Sequence, residues 1–238
     1  MFQTGLSDIY CGLRGFTKAF YERIDQRCTG MEFATEMIIK AALHRARVTE
    51  VPITLHRDGR EGAGSHLRTF RDGWRTLRLF LLYSPRWLYL IPSLGLILLG
   101  LVAGSVAWLE VKIGPATFGA HTLLVAVTLI LLGYQGVMLS LFAATFRWRE
   151  KLAPGSGFLD KFYRIFTLER GLVLSLGAAL LGALLIASVF WEWRNLHYSN
   201  LPYALTMRKV VPGILLIALA AQTFFGSFVI SLTSLERK

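Results

Sequence analysis

The sequence predicts a mainly α membrane protein: a short soluble α/β piece, an interfacial helix, then four transmembrane helices. Three observations lead there. Hydrophobic residues make up 54% of 238 and mean hydropathy is +0.49, too apolar for a soluble chain of this length. The excess is concentrated in residues 88–109, 122–146, 171–191 and 210–235, uncharged runs that each reach the roughly 20 residues a helix needs to cross a bilayer. Ahead of them, residues 67–84 place Leu67, Phe70, Trp74, Leu77 and Leu81 on one helical stripe, with Arg68, Arg71, Arg75 and Arg78 beside it; this is the pattern of a helix lying among lipid headgroups. The domains are therefore residues 1–66, 67–84 and 85–238.

In chain order, Gly5 to Phe16 is a loop of small residues around Asp8 and Arg14, and Lys18 to Asp25 forms a short helix. After Gly30, Phe33, Met37 and Ala41 recur at i, i+4, i+8, which predicts a helix in which Glu36 pairs with Lys40 one turn on. Glu32 and Glu36 share a face of it. Paired carboxylates suit acid–base chemistry, but on a basic surface a salt-bridged face is the commoner use. Residues 48–56, VTEVPITLH, alternate and are β-branched, which predicts an edge strand, since Pro52 cannot donate to a ladder. Helix, strand and loop in that order are the closing units of an α/β sheet, and fifty residues bury too little to stand as an enzyme alone.

Residues 57–66 form a Gly-rich loop. Arg57 and Arg60 offer cationic forks, Gly59, Gly62 and Gly64 expose backbone N–H groups, and Ser65 and His66 add polar side chains, a set suited to a phosphate. In the membrane part, Gly100 and Gly104 predict close helix packing, within the chain by default and as a homo-oligomer seam otherwise. Between the second and third runs, Phe158, Phe162 and Phe166 follow a PGSG breaker, with Lys161 and Arg164 beside them, and predict a second interfacial helix. Gln135 and Gln222 are the strongly polar side chains within the runs, so an ion pathway is not indicated.

Net charge is +11, of which residues 1–84 carry +4 and the remainder +7. The basic residues gather at the ends of the apolar runs, which indicates anionic headgroups as partners rather than nucleic acid. The segment from Arg147 to Arg170 carries six Lys and Arg, against one and three in the other two connections. That segment and both termini therefore belong on the cytoplasmic side of the cytoplasmic membrane. Cys11 and Cys28 make neither a disulfide framework nor a zinc-ligand spacing, and the first eighty residues hold no signal-peptide core.

The ordered set SDIYCGLRGF at 7–16, GMEFATEM at 30–37, EVPI at 50–53, Arg60, Gly64, Ser65 and RDGWRTLRLFLLYSPRWL at 71–88 resembles the C-terminal half of the family 2 glycosyltransferases that act on polyprenyl phosphates. These include the dolichyl-phosphate mannose and glucose synthases and their undecaprenyl relatives. The resemblance covers about residues 5–90. It implies a glycosyltransferase A-like α/β domain, of which this chain would hold the C-terminal remnant, and transfer of a sugar with inversion from a nucleotide-sugar to a polyprenyl phosphate. It implies Asp8 and Arg14 near the reacting centre, Glu36 on the supporting helix, and Arg60 with Ser65, Arg57 and His66 on the acceptor phosphate; His66 stands where the family usually has Lys. It also implies a divalent metal, Mg or Mn, held by an Asp-x-Asp motif in a donor-binding half that these residues do not contain, so the nucleotide-sugar would be met through a missing or separate domain. The other class of function is non-enzymatic: a four-helix protein that binds or translocates a polyprenyl-linked sugar, or anchors a separate catalytic subunit.

Overall fold

The computed structural model describes residues 6, 8, 11–30, 32–54, 69–149, 161–162 and 166–234. They fall into two compact units, the described residues up to Pro85 and those from Arg86 onward.

The first unit is helical. Helix α1, Lys18–Ile24, begins at Thr17, whose Oγ1 accepts a hydrogen bond from the Phe20 N–H at 3.2 Å, and ends at Asp25 in the left-handed region. Helix α2, Glu32–Leu43, buries Thr35, Glu36, Met37, Ile39, Lys40 and Ala41. It stops four residues before Arg47, where Arg45 turns to φ 50. Helix α3, Thr69–Leu82, packs on α2, and α1 packs on α2 through the buried Ile24.

The edge strand expected over residues 48–56 is corrected: the described part of it, 48–54, is extended chain without a ladder. A strand exists only through its neighbour's hydrogen bonds, and no strand lies beside this segment among the described residues. Val48, Val51 and Ile53 are exposed, so the alternation has no second layer to bury against.

The second unit is built from four long helices, and among the described residues these are the helices long and apolar enough to cross a membrane. A π-turn over Arg86–Leu90 leads into α4, Ile91–Trp108. Pro92 explains the wide turn, because its ring would strike the carbonyl of Leu88 in regular α geometry and it has no N–H to donate. A hairpin follows, β1 Lys112–Ile113 with β2 Ala116–Thr117, antiparallel with Lys112 opposite Thr117. Gly114 at φ +59 and Pro115 make its turn. This hairpin was not expected; the Gly-Pro pair between β-branched residues was the available signal.

Helix α5 runs Ala120–Arg149, α6 Leu168–Asn195 and α7 Tyr203–Ser234. Each overruns its apolar run by polar turns at the ends. In the first turns of α7, Arg208 reaches Glu110 just past α4 at 2.9 Å, and Lys209 meets Glu192 of α6. Helix α4 packs on α5, α5 on α7 and α7 on α6.

Glycine sets these approaches. A Cβ on Gly100 would stand 2.7 Å from Ile130 Cγ1 and 2.8 Å from the Ala126 carbonyl, and one on Gly133 would stand 2.7 Å from the Ser93 carbonyl. The Gly100–Gly104 pair is thus used inside the chain, against α5. Buried Ser93, Thr145, Ser175, Thr223 and Ser227 each donate to a carbonyl one turn back, which satisfies a hydroxyl where lipid offers no partner. Tyr134 and Thr223 share a 2.6 Å hydrogen bond that joins α5 to α7. Of the second interfacial segment, Lys161 and Phe162 are helical and Phe162 stacks on Phe166 at 5.3 Å; Phe158 and Arg164 lie outside the described residues.

Candidate functional site

Among the described residues of the first unit, Glu36 gathers four partners. It is 0% exposed, and Lys40 one turn on is 1% exposed. The Lys40 ammonium lies 2.9 Å from Oε1 and also donates to the Asp25 carbonyl. Tyr83 donates its hydroxyl to Oε1 at 2.7 Å, while the backbone N–H groups of Arg27 and Cys28 donate to Oε2 at 3.0 and 2.6 Å. The pairing of Glu36 with Lys40 read from the i, i+4 spacing is present, and it is buried rather than solvated.

Burial by itself raises the Glu36 pKa. The hydrogen bonds from Lys40, Cys28, Tyr83 and Arg27 outweigh it and hold the carboxyl at about 2. A carboxylate locked in its charged form exchanges no proton near neutrality. Its geometry serves to tie α2 to the turn at 25–28 and to Tyr83, just past the end of α3. Burial, reinforced by the same carboxylate, pushes the Tyr83 hydroxyl well above its ordinary range and the Cys28 thiol up to about 11.

Arg14 is held where its backbone carbonyl partners put it. Its Nε donates to the Cys11 carbonyl at 2.8 Å and its Nη1 to the Ala34 carbonyl in α2 at 2.7 Å. Partial burial lowers its pKa, and the nearby Cys11 and Asp8 oppose that. Asp8 is exposed, and its backbone N–H donates to Glu50 Oε1 at 3.2 Å. Arg14 is thus braced against the helix that carries Glu36, with Asp8 near enough to act on its charge.

Helix α3 presents two apolar sides. Leu79, 8% exposed, is turned inward, while Phe70 at 95%, Trp74 at 62% and Leu77 are open. Arg71 and Arg78 are exposed beside that open stripe and Arg75 is half-buried; Arg78 lies 3.9 Å from Glu32 of α2. Of the expected stripe, Phe70, Trp74 and Leu77 are thus open and Leu81 is half-buried, while Leu67 lies outside the described residues. Arg57, Arg60, Ser65, His66 and Arg68 lie outside the described residues. Among the described residues no three of His, Cys, Asp and Glu converge as a metal site.

Tyr83 was missed by sequence reasoning. It falls one turn beyond Leu79, on the inward side of α3, and that spacing was the available signal. The backbone donors of Arg27 and Cys28 had none, because a loop's N–H directions are not written in its side chains.

Residues 141–234, which include all of α6 and α7 and the end of α5, match the model of the glycosyltransferase family 2 C-terminal transmembrane region. That stretch of the chain is similar to a family 2 glycosyltransferase transmembrane region. Over 230 residues, 95% of its length, the chain is 34% identical to the low-salt glycan biosynthesis hexosyltransferase of Haloferax volcanii, and it covers 53% of that relative. The chain therefore spans about half the length of the curated relative it matches. No solved structure matches it. Because the alignment takes in nearly the whole chain, the likeness extends from the family 2 transmembrane region back through α1, α2 and α3.

Proposed function

We propose that this chain is the acceptor-binding and membrane-anchoring part of a glycosyltransferase that moves a sugar from a nucleotide-sugar to a polyprenyl phosphate. The observation that carries the reading is the similarity to a hexosyltransferase over 95% of the chain, which takes in the basic amphipathic helix as well as the spans. In this reaction an oxygen of the lipid phosphate attacks the anomeric carbon from the face opposite the leaving group. The new C–O bond forms as the bond to the nucleoside diphosphate breaks, and the departing diphosphate takes the electron pair. Arg60, Ser65, Arg57 and His66 hold the attacking phosphate in line. Asp8 and Arg14 lie toward the reacting centre, and Glu36 holds α2 in place beneath them.

The donor is cytosolic in this reading, and the six basic residues from Arg147 to Arg170 support an orientation with that connection and both termini on the cytosolic side. The divalent metal that the resemblance implies, Mg or Mn, would be held by residues other than the described ones, among which no ligand set converges.

The test is genetic and chemical. Membranes from cells lacking the gene, supplied with radiolabelled nucleotide-sugar, should lose one organic-extractable, acid-labile glycolipid. Return of the wild-type gene should restore it and Arg60→Ala should not. An unchanged glycolipid profile on deletion would remove the enzyme reading, and full rescue by Arg60→Ala would remove that residue from the phosphate site.

A further inference from the structure

The geometry points to an interhelix lock, made by Glu36 and Tyr83 with Glu32 and Arg78, that sets the roll of α3 and thereby presents its open stripe to an anionic lipid surface. This rests on the reading of α3 as an interfacial helix and adds what controls it. Glu36 and Tyr83 are positioning residues here; they act through the orientation of α3.

Two rungs define the lock. Glu32 and Glu36 are one turn apart on α2. Facing them, Arg78 lies 3.9 Å from Glu32 Oε1, and the Tyr83 hydroxyl lies 2.7 Å from Glu36 Oε1. Between the rungs Leu79 is buried. The lower rung is rigid because Glu36 is itself held by Lys40 and by the Arg27 and Cys28 N–H groups. A hydrogen bond to so well anchored a carboxylate fixes where one side of α3 sits.

The other side follows from helix geometry. At about 100° per residue, Phe70, Trp74 and Leu77 fall roughly opposite Leu79, and they are exposed. The exposed flank is Arg71 and Arg78, so the face carries indole and phenyl rings with guanidinium groups beside them. That combination is complementary to a bilayer leaflet rich in acidic headgroups. Released from the rungs, α3 would keep its helix but lose its roll, because its apolar residues lie on both sides: Leu79 could as well be outermost.

The test uses the full chain in nanodiscs of phosphatidylcholine with phosphatidylglycerol. Cys11 and Cys28 are replaced by Ser, and a nitroxide is placed by Phe70→Cys or, in a second protein, by Thr76→Cys. Positions 70 and 76 lie about 120° apart on the helix. Collisional access to oxygen, against a water-soluble nickel complex, reports depth. With Tyr83 present, the label at 70 should read lipid and the label at 76 should read water. Tyr83→Phe, which keeps the ring and removes the hydroxyl, should move the two labels in opposite senses. Simple unfolding would carry both labels into water, and that result would overturn the lock, as would depths that do not change.

A second variant, Arg78→Gln, removes the other rung without touching the buried pair and should shift the labels in the same senses. A parallel titration with polyprenyl phosphate separates the two readings. If the labels exchange depth but the wild-type chain does not bind the lipid, the lock stands and the acceptor reading falls. If the wild-type chain binds and Tyr83→Phe alters neither depth nor affinity, the lock falls and the acceptor reading stands. The expected loss of affinity is about threefold to tenfold, the range of one net hydrogen bond.

Discussion

Gly182 and Gly213 meet backbone to backbone where α6 crosses α7. A Cβ added to Gly182 would stand 2.6 Å from the Gly213 carbonyl oxygen, and one added to Gly213 would stand 3.1 Å from the Gly182 carbonyl. In lipid, where no hydrophobic force drives helices together, approach of this kind is the main source of their association. Gly182→Ala should therefore weaken the α6–α7 contact by about 1–3 kcal/mol, the cost of overpacking. Thermal melting in detergent would show it. Gly177→Ala is the control: nothing stands within 4 Å of that position, so the change should be neutral or slightly stabilising through helix propensity, by up to about 1 kcal/mol.

Glu36→Gln should be the more damaging change at the α2–α3 contact. It leaves the Lys40 ammonium buried without its counter-charge, at a cost of about 3 kcal/mol, whereas Tyr83→Phe removes one hydrogen bond to a charged group, about 1.5 kcal/mol. Limited proteolysis of the region ahead of Pro85 checks the order. Equal resistance in the two variants would mean that Lys40 is neutralised by something other than Glu36.

Acid should loosen the same contact. The Glu36 pKa is depressed from 4.5 to about 2 in the folded chain. A depressed carboxyl contributes stability that is fully present above its unfolded value and is lost as pH falls through the folded value. The melting temperature should thus fall between about pH 4.5 and pH 2, and Glu36→Gln should flatten that part of the profile. A profile with the same slope in both proteins would assign the acid sensitivity to other groups.

Cys28 should resist alkylation at ordinary pH. Its pKa is raised from 9.0 to about 11, by burial first and then by the Glu36 carboxylate, and the thiolate is the reacting species. In a Cys11→Ser protein, the rate with iodoacetamide should rise with a midpoint near the raised value. Because the pKa is raised, the associated stability is complete below pH 9 and declines toward pH 11. Glu36→Gln should bring the midpoint down; a midpoint at the ordinary thiol value in the parent protein would contradict the burial seen here.

Much of this architecture was legible because it follows from composition and period. Four uncharged runs of more than twenty residues in helix admit a membrane and little else. The i, i+4 spacing of Glu36 and Lys40 announced their pairing, and the alternation of rings and arginines along residues 70–78 announced the outward face of α3. The strand expected at 48–56 failed because alternation states what a strand would look like and not whether a neighbour is there to complete it. Of the phosphate loop, nothing beyond its residue types enters the described residues.

The chain alone determined how many helices cross the bilayer, where they run and which side of α3 is basic, since these depend on the order of side chains along one helix. Only the tertiary structure decided that Glu36 is a buried hub and that Gly182 finds Gly213. It also decided that Tyr83, unremarkable in its local context, closes the contact between α2 and α3. The reason is physical: a local period names the face of an element, but Tyr83 is 47 residues from Glu36, and Gly213 likewise belongs to a different helix from Gly182, so only packing brings the hydroxyl to 2.7 Å from the carboxylate and the two glycine backbones together.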